Sequence, residues 1–481
     1  MKRTNLIAII LFASILVSCG SGAGGNDTTD DKGGETTTDA VTTEETDGLP
    51  DKKLDGFELR FYNYNREWFV WAENQLDIDS ETGDVLNDAI YKRNRKIEER
   101  FDAKITETTV NDTKTEIGNI VMSGDDLFDI VMLYDMDVAS IFSNDIIVPW
   151  NNMPYVNFGK PWWDSVANSV FSVNGEQFAA VGDFSMSMRS RNYLWIMNKT
   201  MYSEAGDTND IYKLVYDGDW TYDRFLSIAK DFVNDTNGDG KMDENDRYGV
   251  TSAVKLYYEA MFASAGCRYV DTDKNGDLHF TLANDNRAVE VLGRLFELNT
   301  GDTYYSAGTD IHNTNFDFFM NRHALFIATS TAYISRFREF EDDIAFLPVP
   351  KYDADQEEYR SLSAGGTVAA IPATVTDERK ENIGLLLEAL SFESNKTVLP
   401  AYYESTLKGK FTRDDDSVKM LDIILGSSFY DLGVSIWPNQ TLHPIMQNVF
   451  LPMNNTLAST IAGMTANAEA EIAKVTEKNS K

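Results

Sequence analysis

Two periods alternate along the chain from Glu58 onward. Glu58–Tyr64 (ELRFYNY) reads as a strand and is followed by a helical stripe of Leu86, Ile90, Ile97 and Phe101 with charges on the other faces. Lys104–Thr108 (KITET) reads as a second strand, and Asp129–Leu133 ends in a continuous apolar run of the kind found in buried parallel strands. Strand, helix, strand, helix, strand predicts an α/β lobe around a parallel sheet. Ligands of such sheets lie beyond the carboxyl ends of the strands, where Tyr64, Trp68 and Asp135 fall.

The pattern continues with strand candidates at Phe178–Asp183 and Tyr193–Met197. Trp220 precedes a helix start in which Thr221 caps, Asp223 sits in the first turn, and Phe225, Leu226, Ala229 and Phe232 form the apolar face. Trp220 is placed to staple that face and reads as core. A helix over Leu282–Leu298 carries Val289, Leu292, Leu295 and Phe296. Ala324–Ala328, Ile344–Val349 and Val368–Ile371 return the chain to sheet. From Glu378 the pattern is mainly helical, closing on an Ala-rich helix at Leu457–Val475.

The amino-terminal stretch is different in kind. Lys2-Arg3 precedes an apolar run from Leu6 to Val17, too short to span a bilayer and suited to a secretory signal. Leu16-Val-Ser-Cys19 resembles the lipobox of bacterial lipoproteins. That resemblance implies a signal peptide at 1–18, cleavage before Cys19 and a lipid on its thiol. Residues 19–55 are then the lipidated Cys and a Gly-, Thr- and acid-rich tether with too little apolar content to fold.

Charge narrows the partners. The 481 residues carry a formal charge of −34, which argues against nucleic acid. With Cys19 committed to lipid, Cys267 has no cysteine left to pair with. The four histidines show no metal-ligand spacing, and no phosphate-cradling, dinucleotide, zinc-protease or nucleophile-elbow motif occurs. Five carboxylates fall within the twelve residues Asp235–Asp246 (DTNGDGKMDEND). Asp235, Asn237, Asp239, the Lys241 carbonyl, Asp243 and Asp246 occupy the ligand positions of a calcium loop, and Gly240 stands at the sixth place. A structural Ca2+ is expected there. Asp rather than Glu at the twelfth position predicts weak binding, roughly 0.1–1 mM.

Several stretches together resemble the extracellular solute-binding proteins of bacterial ABC importers, in the carbohydrate-type group that includes maltose-binding protein. They are the lipobox and tether, Trp220–Phe225 with the 235–246 loop, Phe316–Phe326, Phe346–Lys351 with Gln356 and Tyr359, and Tyr402–Lys410 through Ile423. His323 departs from the small residue usual in the third of these. The resemblance implies an α/β, two-lobed periplasmic-binding-protein-like fold of type II, with hinge-crossing segments and a ligand cleft. It places 57–188 plus 329–377 in the first lobe, and 189–328 plus 378–481, with the calcium-type loop, in the second. It implies a monomeric binding protein rather than an enzyme, held at the outer face of the cell membrane (the periplasmic side if there are two membranes). There it would pass its solute to the importer's permease.

Sugars present apolar ring faces and a rim of hydroxyls, so their sites pair aromatic platforms with Asp, Asn and Arg. The ligand-binding candidates are Asn63, Tyr64, Trp68, Asp135, Asp183, Trp195, Tyr257 and Trp437. The Trp162-Trp163 pair either flanks the cleft mouth or packs beneath it. The competing readings are a peptide or other non-sugar solute on the same scaffold, and a surface carbohydrate-active enzyme.

Overall fold

The computed structural model describes residues 46–65, 74–138, 145–173, 175–206, 210–274, 277–299, 301–306, 313–407 and 415–478. The chain separates into two units, Met1–Thr46 and Asp47–Lys481. Apart from Thr46 the first unit, with Cys19 and the signal sequence, lies outside the described residues. The architecture below is that of the second unit. Among the described residues no helix is long and apolar enough to cross a membrane.

Two five-stranded sheets organise it. The elements that matter here are β1 (Phe57–Tyr64), α1 (Val85–Phe101), β2 (Ala103–Val110), α2 (Thr113–Ser123), β3 (Ile130–Tyr134), β4 (Ile147–Val148), β5 (Tyr193–Asn198), α3 (Tyr222–Lys230), β6 (Tyr248–Thr251), α4 (Val254–Ser264), α5 (Asn286–Asn299), β7 (Tyr304–Tyr305), β8 (Ala324–Ser330), β9 (Ile344–Leu347), β10 (Thr367–Pro372), α6 (Asp377–Lys396) and α7 (Leu457–Lys478). The first sheet runs β2-β1-β3-β10-β4, with β1, β2 and β3 parallel and β10 antiparallel to β3 and β4. The second runs β7-β6-β8-β5-β9, with β6, β7 and β8 parallel and β5 antiparallel to β8 and β9.

Local sequence explains most of these elements. All seven residues of β8 are buried, as expected for an uninterrupted run between two neighbours. Asp84 caps α1 by accepting from the amides of Leu86 and Asn87, and the stripe Leu86, Ile90, Ile97, Phe101 faces inward. Thr221 caps α3 as its sequence predicts. A Cβ at Gly249 would stand 2.2 Å from the Ala229 carbonyl oxygen, so only glycine lets α3 lie this close on β6.

Three expectations change. Phe178–Asp183 forms no regular strand: Ala180 bridges Ala369 in both directions, at 2.8 and 2.9 Å, and its neighbours turn away. The α5 helix begins at Asn286 rather than at Leu282. The lobe boundaries also move. Segment 329–362 belongs with the second sheet, because β8 continues to Ser330 against Tyr193 and β9 pairs with β5. Conversely α6, expected in the second lobe, packs Ile383, Leu386 and Leu390 into the core beneath β1 and β3. The helix Val398–Leu407 likewise lies against α1.

The crossings are short and tightly packed. Residues 187–192 and 363–367 run side by side, tied by a bridge between Asn192 and Ser363 and by the Thr367 amide on Ser187 Oγ at 2.9 Å. A Cβ at Gly366 would meet Met188 Sδ at 2.5 Å, which fixes the spacing of the two strands of the hinge. Trp162 and Trp163 pack beneath the surface. Both indole N–H groups donate to the buried Glu388 carboxylate, at 2.9 and 2.8 Å.

Candidate functional site

At the carboxyl end of β1 the alternation of the strand brings polar groups inward. Leu59, Phe61 and Asn63 share one face, and the same parity on β2 gives Ile105 and Glu107. Asn63 is buried between β2 and β3, opposite Thr109 and Met132. Its Nδ2 donates to the Asn74 carbonyl at 2.7 Å and to Glu107 Oε1 at 2.6 Å. Two acceptors on one side settle which way the amide points, so Oδ1 faces the other way. That oxygen is buried and has no hydrogen-bond partner among the described residues, and the same holds for Oδ1 of Asn65.

These groups form the floor of a pocket of about 350 Å³, within the range of small-molecule sites. Asn63, Tyr64, Asn65, Glu107 and Thr109 make the base; the segment from Asn74 to Asp79 and Asn87 of α1 make the sides. Glu107 is held by the amides of Leu76 and Asp77, both at 2.9 Å on Oε2. Burial nonetheless pushes its carboxyl above the ordinary carboxylate value, with the Asp77 charge adding to the push. Asp77 in turn accepts from Asn94 Nδ2 at 3.0 Å and from Arg95 at 3.3 Å. Beside the pocket the Tyr64 ring stacks on Tyr134, centroids 5.4 Å apart and planes 19° from parallel.

The other predicted residues take different places. Trp68 lies outside the described residues. Asp135 directly follows β3 but is fully buried: Oδ2 accepts from the Gly365 amide at 2.9 Å and from Ser435 Oγ at 3.3 Å, so it ties the end of β3 to the hinge. Asp183 is buried in an ion pair with Arg189 and accepts from Asn395 Nδ2 at 2.8 Å; burial raises its pKa. Trp195, a ligand-binding candidate, packs in the core among Phe225, Tyr257 and Phe326, with ring centroids at 4.7, 5.6 and 6.4 Å. Tyr257 stacks on Tyr304 at 4.9 Å and is buried, and Trp437 is 2% exposed within the same core. All three aromatics are thus enclosed by protein, Trp195 and Tyr257 against α3, α4 and β8.

Sequence reasoning passed over several groups that the fold brings together. Glu259 on α4 is buried and accepts from the Tyr193 hydroxyl at 3.0 Å. Tyr134 lies close enough to Asp135, Arg191 and Glu259 to feel their charges, although burial is the main reason its hydroxyl is hard to ionise. This polar cluster straddles the hinge between the end of β3 and α4. Charged residues of this kind on helices read as solvated faces, so no local signal marks them. Glu107 did carry a signal: it continues the buried face begun by Ile105.

The acidic loop folds on itself. Asp235 accepts from the amides of Gly238 and Gly240 at 2.7 and 2.8 Å, with Gly240 at φ +79°. Asn237 and Asp239 accept from the amides two residues on, at 2.9 and 2.8 Å. Asp246 takes the amides of Asp243 and Thr236, at 2.9 and 2.8 Å, and these hold its carboxyl below the ordinary range. Among the described residues no three His, Cys, Asp or Glu side chains converge as a metal-holding group. The carboxylates at the expected calcium positions are therefore not drawn together into a cage.

No family model matches the chain, and no curated protein sequence matches it. Solved structures do. A cyclic alpha-maltosyl-1,6-maltose binding protein from Arthrobacter globiformis is similar with a TM-score of 0.61 and 12% identity, over 87% of this chain and 99% of that one. An ABC substrate-binding protein from Listeria monocytogenes, in complex with cycloalternan, gives 0.53 at 14% identity over 87% and 99%. A maltose/maltodextrin-binding domain from Bdellovibrio bacteriovorus bound to maltotriose gives 0.52 at 12% identity over 88% and 100%. The fold is thus the two-lobed α/β fold of the type II solute-binding proteins.

Proposed function

We propose that this protein captures a sugar or oligosaccharide between its lobes and delivers it, chemically unchanged, to the permease of an ABC importer. The observation that carries the reading is the pocket at the carboxyl ends of β1 and β2, where the buried oxygens of Asn63 and Asn65 await hydrogen-bond donors. A hydroxyl-rich guest supplies such donors. The names of two of the fold's neighbours, a maltose/maltodextrin-binding domain bound to maltotriose and a cyclic alpha-maltosyl-1,6-maltose binding protein, point the same way. The residues proposed to touch the guest are Asn63, Tyr64 and Asn65, with Trp68 following them in the chain.

The same reading has the chain anchored through a lipid on Cys19 at the outer face of the cell membrane and acting as a monomer. It also has Ca2+ held by Asp235, Asn237, Asp239, the Lys241 carbonyl, Asp243 and Asp246. The support for calcium is the twelve-residue spacing and the Gly240 turn; binding requires the carboxylates to close in from their present positions. A thermal-shift screen over mono- and oligosaccharides and peptides tests the main proposal. A saccharide at a hundred times its Kd adds about 2.7 kcal/mol to stability and is recovered intact. Stabilisation by peptides alone, or recovery of cleaved sugar, overturns it.

A further inference from the structure

Every residue from Phe429 to Pro438 (FYDLGVSIWP) is buried, although its only regular parts are the end of the strand Ser428–Phe429 and the short helix Leu432–Ser435. Neighbouring side chains of this strap hold opposite lobes. Asp431 holds the second, just after α4: Oδ2 accepts from the Tyr269 amide at 2.7 Å and Oδ1 from the Val270 amide at 3.3 Å. Tyr430 holds the first: its hydroxyl donates to Asp164 Oδ2 at 2.8 Å. Asp164 is fixed to that lobe, since its amide donates to the Val181 carbonyl at 3.0 Å and its Oδ1 caps the helix Ser165–Val170. Further along the strap, Ser435 Oγ donates at 3.3 Å to Oδ2 of Asp135, the residue after β3.

Beside the Tyr430–Asp164 bond the lobes are not packed together. A groove of about 350 Å³ separates residues 159–166 of the first lobe from 425–428 of the second, with Arg189 and Asp164 on its wall. A phenol hydroxyl on a carboxylate makes a charge-assisted bond, and the burial of Tyr430 keeps water from competing for it. Neither strap bond ends on a residue lining the β1 pocket, so both act with or without a guest. Turning the lobes about 187–192 and 363–367 strains these bonds, because a strap buried along its whole length cannot lengthen to follow.

We infer that this strap latches the lobes together through Tyr430 and, less strongly, through Ser435. Loss of the Tyr430 bond corresponds to a shift of about tenfold or more from closed toward parted lobes. The inference goes beyond the capture of a sugar and needs no ligand for its test.

That test is small-angle X-ray scattering from the unliganded full chain in wild type, Tyr430→Phe and Tyr222→Phe. Tyr222→Phe is the control, because it removes an equally buried hydroxyl that bonds only within the second lobe, to the Met261 carbonyl and Ser264 Oγ. Tyr430→Phe shows a larger radius of gyration than wild type while still melting in one cooperative transition, and Tyr222→Phe matches wild type. An unchanged radius in Tyr430→Phe, or the same expansion in the control, overturns the inference and leaves the sugar reading standing. Should Tyr430→Phe not fold, Ser435→Ala decides: a larger radius than wild type supports the latch, and an unchanged one overturns it.

Discussion

At the end of β1 the oxygens of Asn63 and Asn65 are buried and have no partner among the described residues, whereas in the 235–246 loop the oxygens of Asp235, Asn237, Asp239 and Asp246 accept from the loop's own amides. Both stretches are rich in Asp, Asn and Glu, and on composition they are alike. They differ in what a guest would gain. A buried acceptor without a partner costs on the order of 1–3 kcal/mol, which a donating ligand recovers. The loop oxygens, mostly at the surface and already hydrogen-bonded, offer a cation only the Coulomb energy left after it sheds its water. The pocket is therefore the place where binding has the larger effect.

The comparison can be broken most forcefully at Glu107. Replacing it with Leu strands the amides of Leu76 and Asp77, and we expect a loss of about 3 kcal/mol in the unfolding free energy measured with denaturant. A loss below about 0.5 kcal/mol would mean the pocket walls are not held as described. A smaller effect is expected at the loop. Calcium at ten times its Kd should stabilise the protein by about 1.4 kcal/mol, and Asp239→Asn should remove that gain. A melting curve indifferent to calcium up to roughly 10 mM removes the cation from the reading.

The smallest effect is one of pH, and its sign differs between the regions. The Glu107 carboxyl titrates above its ordinary value of 4.5, so its contribution is complete below that value and is lost as pH rises through the raised one. The Asp246 carboxyl titrates below 3.8, so its contribution is complete above that value and is lost as pH falls. Melting curves from acid to neutral pH should show the gap between wild type and Glu107→Gln narrowing with rising pH. The gap to Asp246→Asn should widen. Parallel trends would show that the two carboxylates sit in similar surroundings after all.

What the chain discloses by itself follows from how local each feature is. Ile130–Leu133 and Ala324–Ala328 are legible as central strands because burial on both faces leaves no room for polar side chains. Asn63 and Tyr64 could be singled out as candidates because a strand end is visible in sequence and ligands of such sheets gather there. The lobe limits were not legible, since nothing within Ile344–Leu347 says that it will pair with Tyr193–Asn198, well upstream. Aromatic chemistry misled in the same way. Trp195 and Tyr257 have the side chains of a sugar platform, yet both are almost wholly enclosed, a fact set by α3, α4 and β8 rather than by their neighbours in the chain.

Saccharide affinity in wild type and in Asn63→Ala, measured by calorimetry alongside the unliganded melting midpoint, tests most directly whether the β1 pocket is the binding site. We expect at least a tenfold loss of affinity, about 1.4 kcal/mol, from a variant that still unfolds in one cooperative transition. An Asn63→Ala protein that folds and binds its saccharide as tightly as wild type would place the guest elsewhere.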